Sequence, residues 1–186
     1  MDEQYIIKQV LAGDQQAYGQ IMDRYKNPLY ATILRMTRNP QLAQDLVQEA
    51  FIKVYEQLGR YEETGSFKSW LYRIAINHCL DELRKKQYKI VNEELEEGQL
   101  IEEEHPEVIF LKKERGRQLE ELLAKLPEQE RLILLLRYSN ELSYEEISEL
   151  LHISLSDVRN KLHRSKKKMR EQVQKGGDYY ELSERR

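Results

Sequence analysis

The stretch SYEEISELLHISLSDVRNKLHRSKKKMR, residues 143–170, decides how this chain folds and what it touches. Ser143 followed three residues later by Glu146 is a capping box that starts a helix. Ile147, Leu150 and Leu151 line the apolar face of that helix. The run HIS at 152–154 interrupts it, and Ser154 is placed to cap the next one. At 100° per residue, Leu155, Val158, Leu162 and Met169 fall on one stripe of the second helix. Ser156, Asn160, His163, Arg164 and Lys167 fall opposite, flanked by Arg159 and Arg170. Two helices joined by a short turn, the second apolar inside and rich in Arg, Asn and His outside, form a helix-turn-helix pattern. Arg suits guanine and Asn suits adenine in the major groove. The trailing KKKMR suits phosphates. The same spacing also describes an amphipathic surface helix with a solvated basic face. His152 stands near the place where such a turn usually carries glycine, and histidine enters the left-handed region at some cost.

Composition places that stretch in an all-α protein. Of 186 residues, 34% are charged and 40% hydrophobic, and only 8 are Gly and 4 Pro. Leu, Glu, Gln and Lys, which favour helix, are plentiful. No apolar run reaches the length of a membrane span. The start, MDEQYIIKQVLAGD, is acidic and unlike a signal peptide. The single cysteine, Cys79, closes no internal disulfide and fits a reducing cytoplasm. The net charge of −3 hides an asymmetry: residues 93–107 hold eight Glu and no Lys or Arg, whereas residues 159–170 hold seven Lys or Arg and no acid.

Along the chain, residues 3–12 read as a short helix stopped at Gly13. Asp14 caps a helix to about Asn27, and Pro28 opens another. Asn39 and Pro40 start a helix to Leu58. After a loop at 59–66, residues 67–86 are helical. Residues 1–87 form one helical domain, 88–111 an acidic, self-repelling linker, 112–173 a second helical domain, and 174–186 a disordered tail. A solvated charged segment with no specific task is the plainer account of 88–111.

The first domain needs its own partner. In the helix 40–58, Ala43, Val47, Ala50, Phe51, Val54 and Leu58 make a buried face. Asp45, Glu49 and Glu56 stand opposite with Ile52 among them, either a docking surface for a basic partner or an ordinary solvated face. In 67–86, Leu71, Ala75, His78, Cys79 and Leu83 point inward. Arg73, Asn77, Asp81 and Arg84 share an outer face, followed by Lys85 and Lys86. Phe67 and Trp70 are expected in the core. Tyr61, in a polar loop, is the better candidate to meet a splayed base. His78 and Cys79, adjacent on a helix, cannot both face one metal. No metal-ligand spacing, Gly-rich phosphate loop or nucleophile motif is present, so neither a cofactor nor an enzyme is expected.

DLVQEAFIKVYEQL, then FKSWLYRIAINHCLDELRKK, then LPEQERLILLLRYSNELSYEEISELLHISLSDVRNKLHRSKKKMR resemble the bacterial sigma-70 family, and in it the small extracytoplasmic-function (group 4) members. The resemblance covers about residues 14–87 and 115–172. It implies two helical domains, sigma-2 and sigma-4, on a flexible linker. It also implies an alternative sigma factor that binds core RNA polymerase and directs promoter-specific initiation. Asp45, Gln48, Glu49 and Ile52 would then meet the clamp helices of the largest subunit, with the flap a further contact. Tyr61, Arg73, Asn77, Arg84 and Lys85 would serve the −10 element, where a base is flipped out at a cost of a few kcal/mol. Ser156, Arg159, Asn160, His163, Arg164 and Lys167 would serve the −35 element. A cognate anti-sigma factor, often membrane-anchored, and a stress response are also implied, with no membrane insertion of this chain itself. Two departures stand out. YEETGSF (61–67) carries two glutamates where relatives often have basic and glycine residues, and Asp157 lies near the groove face. A stand-alone helix-turn-helix regulator is the alternative, and it predicts duplex binding without polymerase.

Overall fold

Residues 3–62, 65–92 and 119–175 are described by a computed structural model. Among them every regular element is helical: α1 (Glu3–Leu11), α2 (Gln15–Thr37), α3 (Pro40–Gln57), a 3-10 turn (Leu58–Arg60), α4 (Phe67–Asn92), α5 (119–124), α6 (Glu128–Leu134), a π turn (Leu135–Ser139), α7 (Tyr144–Leu151) and α8 (Leu155–Lys175). Local chemistry sets most boundaries. Asp14 accepts from the backbone N–H groups of Gln16 and Ala17, and Asn39 from that of Leu42. Arg38 closes α2 in the left-handed region at φ 52°.

α2 does not stop before Pro28, as the proline suggests, but runs through it. An interior proline costs about 3 kcal/mol. Tyr25, Leu29 and Ile33, at 5%, 0% and 0% exposure, continue one buried face across it, and each buried side chain contributes roughly 1.5–3 kcal/mol. α4 likewise extends past Lys86 to Asn92, because no Gly or Pro stands in KKQYKIVN to end it. The remainder of the expected linker, and the expected tail beyond Lys175, lie outside the described residues.

α3 packs as its pattern dictates, with Ala43, Val47, Ala50, Phe51, Val54 and Leu58 all buried. α4 differs. Beside the expected Leu71, Ala75 and Cys79, both Tyr72 and Ile76 are fully buried. One side of α4 rests on α2 and α3, and another on α7. The buried apolar residues thus form one cluster from Ile6 to Leu162, crossing from the first helical unit into the second. At the first residue of α8, Leu155 is 36% exposed rather than inside, while Val158 and Leu162 are buried. Ser165, also on the inner side, is buried and donates to the Lys161 carbonyl at 2.6 Å. No helix among the described residues is long and apolar enough to cross a membrane.

Candidate nucleic-acid and protein interfaces

The turn between α7 and α8 is built from its own side chains. Ser143 accepts from the Glu146 N–H at 3.1 Å, and Glu146 accepts from the Ser143 N–H at 2.7 Å, closing the capping box. His152 ends α7 in the left-handed region at φ 52°, ψ 44°. Its N–H bonds back to the Ser148 carbonyl, which offsets part of the cost of a non-glycine residue there. Ser154 then caps α8, its Oγ accepting from the Asp157 N–H at 3.1 Å and donating to Asp157 Oδ2 at 2.7 Å. Asp157 is therefore engaged by the cap.

With Val158 and Leu162 anchored inside, Ser156, Arg159, Asn160, His163, Arg164 and Lys167 are all exposed along α8. Ser156 Oγ shares a hydrogen bond with Ser154 Oγ at 2.8 Å. Lys167 lies 4.0 Å from Glu171, a weak exposed pair. Lys168 is held by the buried Glu130 at 3.0 Å and is drawn toward α6.

On α3, Asp45, Gln48, Glu49 and Ile52 are exposed together. Ile52 shows 59% of its surface beside three polar neighbours. Gln41 donates to Asp45 at 3.0 Å. Glu49 Oε2 meets His78 Nε2 of α4 at 2.6 Å, which ties this face of α3 to the neighbouring helix. Nothing in the linear pattern signalled that pair, because it depends on how α3 and α4 cross.

The third group of residues lies at the start and along the outer face of α4. Tyr61 is half-buried, its hydroxyl donating to the Gly65 carbonyl at 2.8 Å. Its ring stands edge-on to Phe67 at 5.2 Å and against Trp70 at 5.3 Å. Phe67 is core, and Trp70 is partly buried against it. Arg73 is exposed and Asn77 half-buried. Arg84 pairs with Asp81 at 3.4 Å, and Lys85 with Glu82 at 2.7 Å. The Lys85 ammonium holds Glu82 below the usual carboxylate range, and Glu82 raises Lys85 in turn. Both cations thus carry local acids that a phosphate would have to displace. Asn77 and Arg84 line a cleft with Leu80 and Asp81, facing Leu151 and His152 of the other unit.

Two stretches of the chain match known families separately. Residues 21–88 match the family described as Sigma-70 region 2, and residues 116–169 match Sigma-70, region 4. The chain belongs to the sigma-70 family. The extracytoplasmic-function sigma factor SigW of Bacillus subtilis is 35% identical over 90% of this chain and 94% of its own. The sigma-H factor of Pseudomonas aeruginosa is 31% identical over 88% and 90%. A solved structure, CnrH in complex with the cytosolic domain of CnrY, shares the fold at a TM-score of 0.67 and 20% identity, over 92% of this chain and 96% of that one. The chain is thus an alternative sigma factor of the extracytoplasmic-function group that directs transcription initiation.

Proposed function

We propose that this sigma factor divides its work among the three faces described above. Asp45, Gln48, Glu49 and Ile52 dock on the clamp helices of the largest polymerase subunit. Acidic groups around an exposed apolar centre give both steering and a desolvated anchor. Tyr61, Arg73, Asn77, Arg84 and Lys85 meet the opened −10 strand, and Ser156, Arg159, Asn160, His163, Arg164 and Lys167 read the −35 duplex. The region 4 unit also meets the flap. The observation that carries this reading is the single exposed side of α8, six polar or basic residues backed by buried Val158 and Leu162.

The protein works in the cytoplasm, where polymerase and promoter are, and has no catalytic activity of its own. A cognate anti-sigma factor, membrane-anchored or otherwise, holds it inactive until a stress signal arrives. A solved structure of similar fold holds the sigma factor RpoE in complex with the anti-sigma factor NepR from Bartonella quintana.

Run-off transcription from pooled genomic promoter fragments tests the assignment, with core polymerase alone, with wild type, and with Asp45→Arg/Glu49→Arg. New start sites that require the protein and vanish with the double variant are expected. Start sites that persist unchanged with the double variant would sink the docking assignment.

A further inference from the structure

Three buried polar side chains outside the three faces gather on the seam between the region 2 and region 4 units. Thr32 on α2, Tyr72 on α4 and Asn140 just after the π turn are 1%, 0% and 1% exposed. The Tyr72 hydroxyl donates to Asn140 Oδ1 at 2.5 Å. Asn140 Nδ2 donates to Thr32 Oγ1 at 2.9 Å and to the Leu135 carbonyl at 3.2 Å. The Thr32 hydroxyl donates on to the Pro28 carbonyl at 3.0 Å. The π turn makes this possible: its wide loop, with the Asn140 N–H bonded to the Leu135 carbonyl at 3.0 Å, turns Asn140 into the seam.

We propose that this hydrogen-bonded chain is a latch that holds the free protein closed over Asn77 of α4 while leaving the −35 face of α8 open; the proposal rests on the roles given to Asn77 and α8 above. A polar chain fixes one register between two apolar surfaces, and a purely apolar seam of that size would be harder to reopen. Closure has a geometric consequence. Asn77, Asp81 and Arg84 form one wall of a cleft of about 270 Å³, and Leu151 and His152 form the other. A base brought against Asn77, which is half-buried, meets Leu151 and His152 first. Arg73, Arg84 and Lys85 of α4 and the six α8 residues are exposed in the same closed form. Three rim contacts complete the seam: Arg35 to Glu120 at 2.7 Å, Arg38 to the Ala124 carbonyl at 3.1 Å, and Lys68 to Glu141 at 3.8 Å. They are partly solvated and add little.

The test uses the full chain as wild type, Tyr72→Phe and Thr32→Val. The first substitution leaves Asn140 Oδ1 buried without its donor, and the second removes one of the two acceptors of Asn140 Nδ2. Both residues lie in the region 2 unit and outside every face assigned to DNA or polymerase. Small-angle X-ray scattering reads closure. Fluorescence anisotropy reads binding to short random-sequence single strands and to random-sequence duplex. Wild type is expected to scatter as a closed particle. Each variant is expected to open and to bind single strands about tenfold tighter, with duplex affinity unchanged. An extended wild type, or variants that stay closed with wild-type affinities, would overturn the latch. Open variants without tighter single-strand binding would overturn the occlusion. Open variants for which no single-strand binding is found would overturn the −10 assignment together with the occlusion, while closure itself is still judged by scattering. If Tyr72→Phe loses its helical circular dichroism, Thr32→Val, which exchanges a hydroxyl for a methyl, carries the test.

Discussion

At the scale of single residues, base contacts and phosphate contacts on α8 should separate by experiment. Asn160 and Arg164 are exposed on the same side of α8 as Lys167, one to two turns apart. Asn160→Ala or Arg164→Ala is expected to cost about 1–3 kcal/mol at the −35 site and to relax specificity at one or two bases. Lys167→Ala is expected to weaken binding uniformly and to lower the salt slope by about one. Titrations against wild-type and point-mutated −35 duplexes at several salt concentrations check this, and identical behaviour of all three variants would refute the division. The periodicity of residues 143–170 showed which side of α8 faces out. It could not show that Asp157 is taken up by the Ser154 cap, since Asp157 also lies on the polar side.

At the scale of the element, α7 and its turn are the most locally determined part of the molecule. The capping box and the left-handed His152 both follow from neighbours within a few residues. Ser143→Ala is expected to destabilise the protein by about 1 kcal/mol in urea unfolding. His152→Gly is expected to stabilise it by a similar or smaller amount, because glycine adopts φ 52° without a Cβ clash. A loss of stability with His152→Gly would show that the imidazole contributes more at the mouth of the cleft than its backbone costs. α4 is the opposite case. Its inward positions were legible as a single stripe, yet Tyr72 and Ile76 are equally buried because a second layer packs on it. A one-sided pattern cannot reveal burial on a second side supplied by residues 68 or more positions further along the chain. α2 makes the same point at Pro28, where tertiary burial of Leu29 and Ile33 outweighs a local helix breaker.

At the scale of the whole molecule, the two units share one core, and that core holds several groups that resist ionisation. Burial, with the Glu128 charge adding to it, pushes the Cys79 thiol up from 9.0 to about 12. Burial alone raises the Tyr72 hydroxyl, and burial raises those of Tyr18 and Tyr25 as the largest cause. The folded state therefore keeps these protons where the unfolded chain releases them. Stability from this source is complete below about pH 9, the ordinary value for the thiol, and is lost as pH rises through the folded values. Thermal melting temperature is expected to be flat in this respect from pH 7 to 9 and to fall above it. Cys79→Ser and Tyr72→Phe should each make the alkaline decline shallower, and an unchanged slope in both would count against the buried-group account. The raised thiol also makes Cys79 slow to alkylate in the native protein, because thiolate is scarce.

What the sequence determined by itself was everything that rests on near neighbours: an all-helical chain, the caps at Asp14, Asn39, Ser143 and Ser154, the inner face of α3 and the outer face of α8. The motifs in 45–58, 67–86 and 126–170 also carried the family. Caps, periodicity and motifs act over one or two turns, so they are written in consecutive residues. What only the tertiary structure decided is how those faces meet. The Glu49–His78 pair, the second buried side of α4 and the Thr32–Tyr72–Asn140 chain join residues separated by 29 to 108 positions. Such contacts exist only once the backbone has brought their helices together, and a side chain's own type does not record which distant partner it will find.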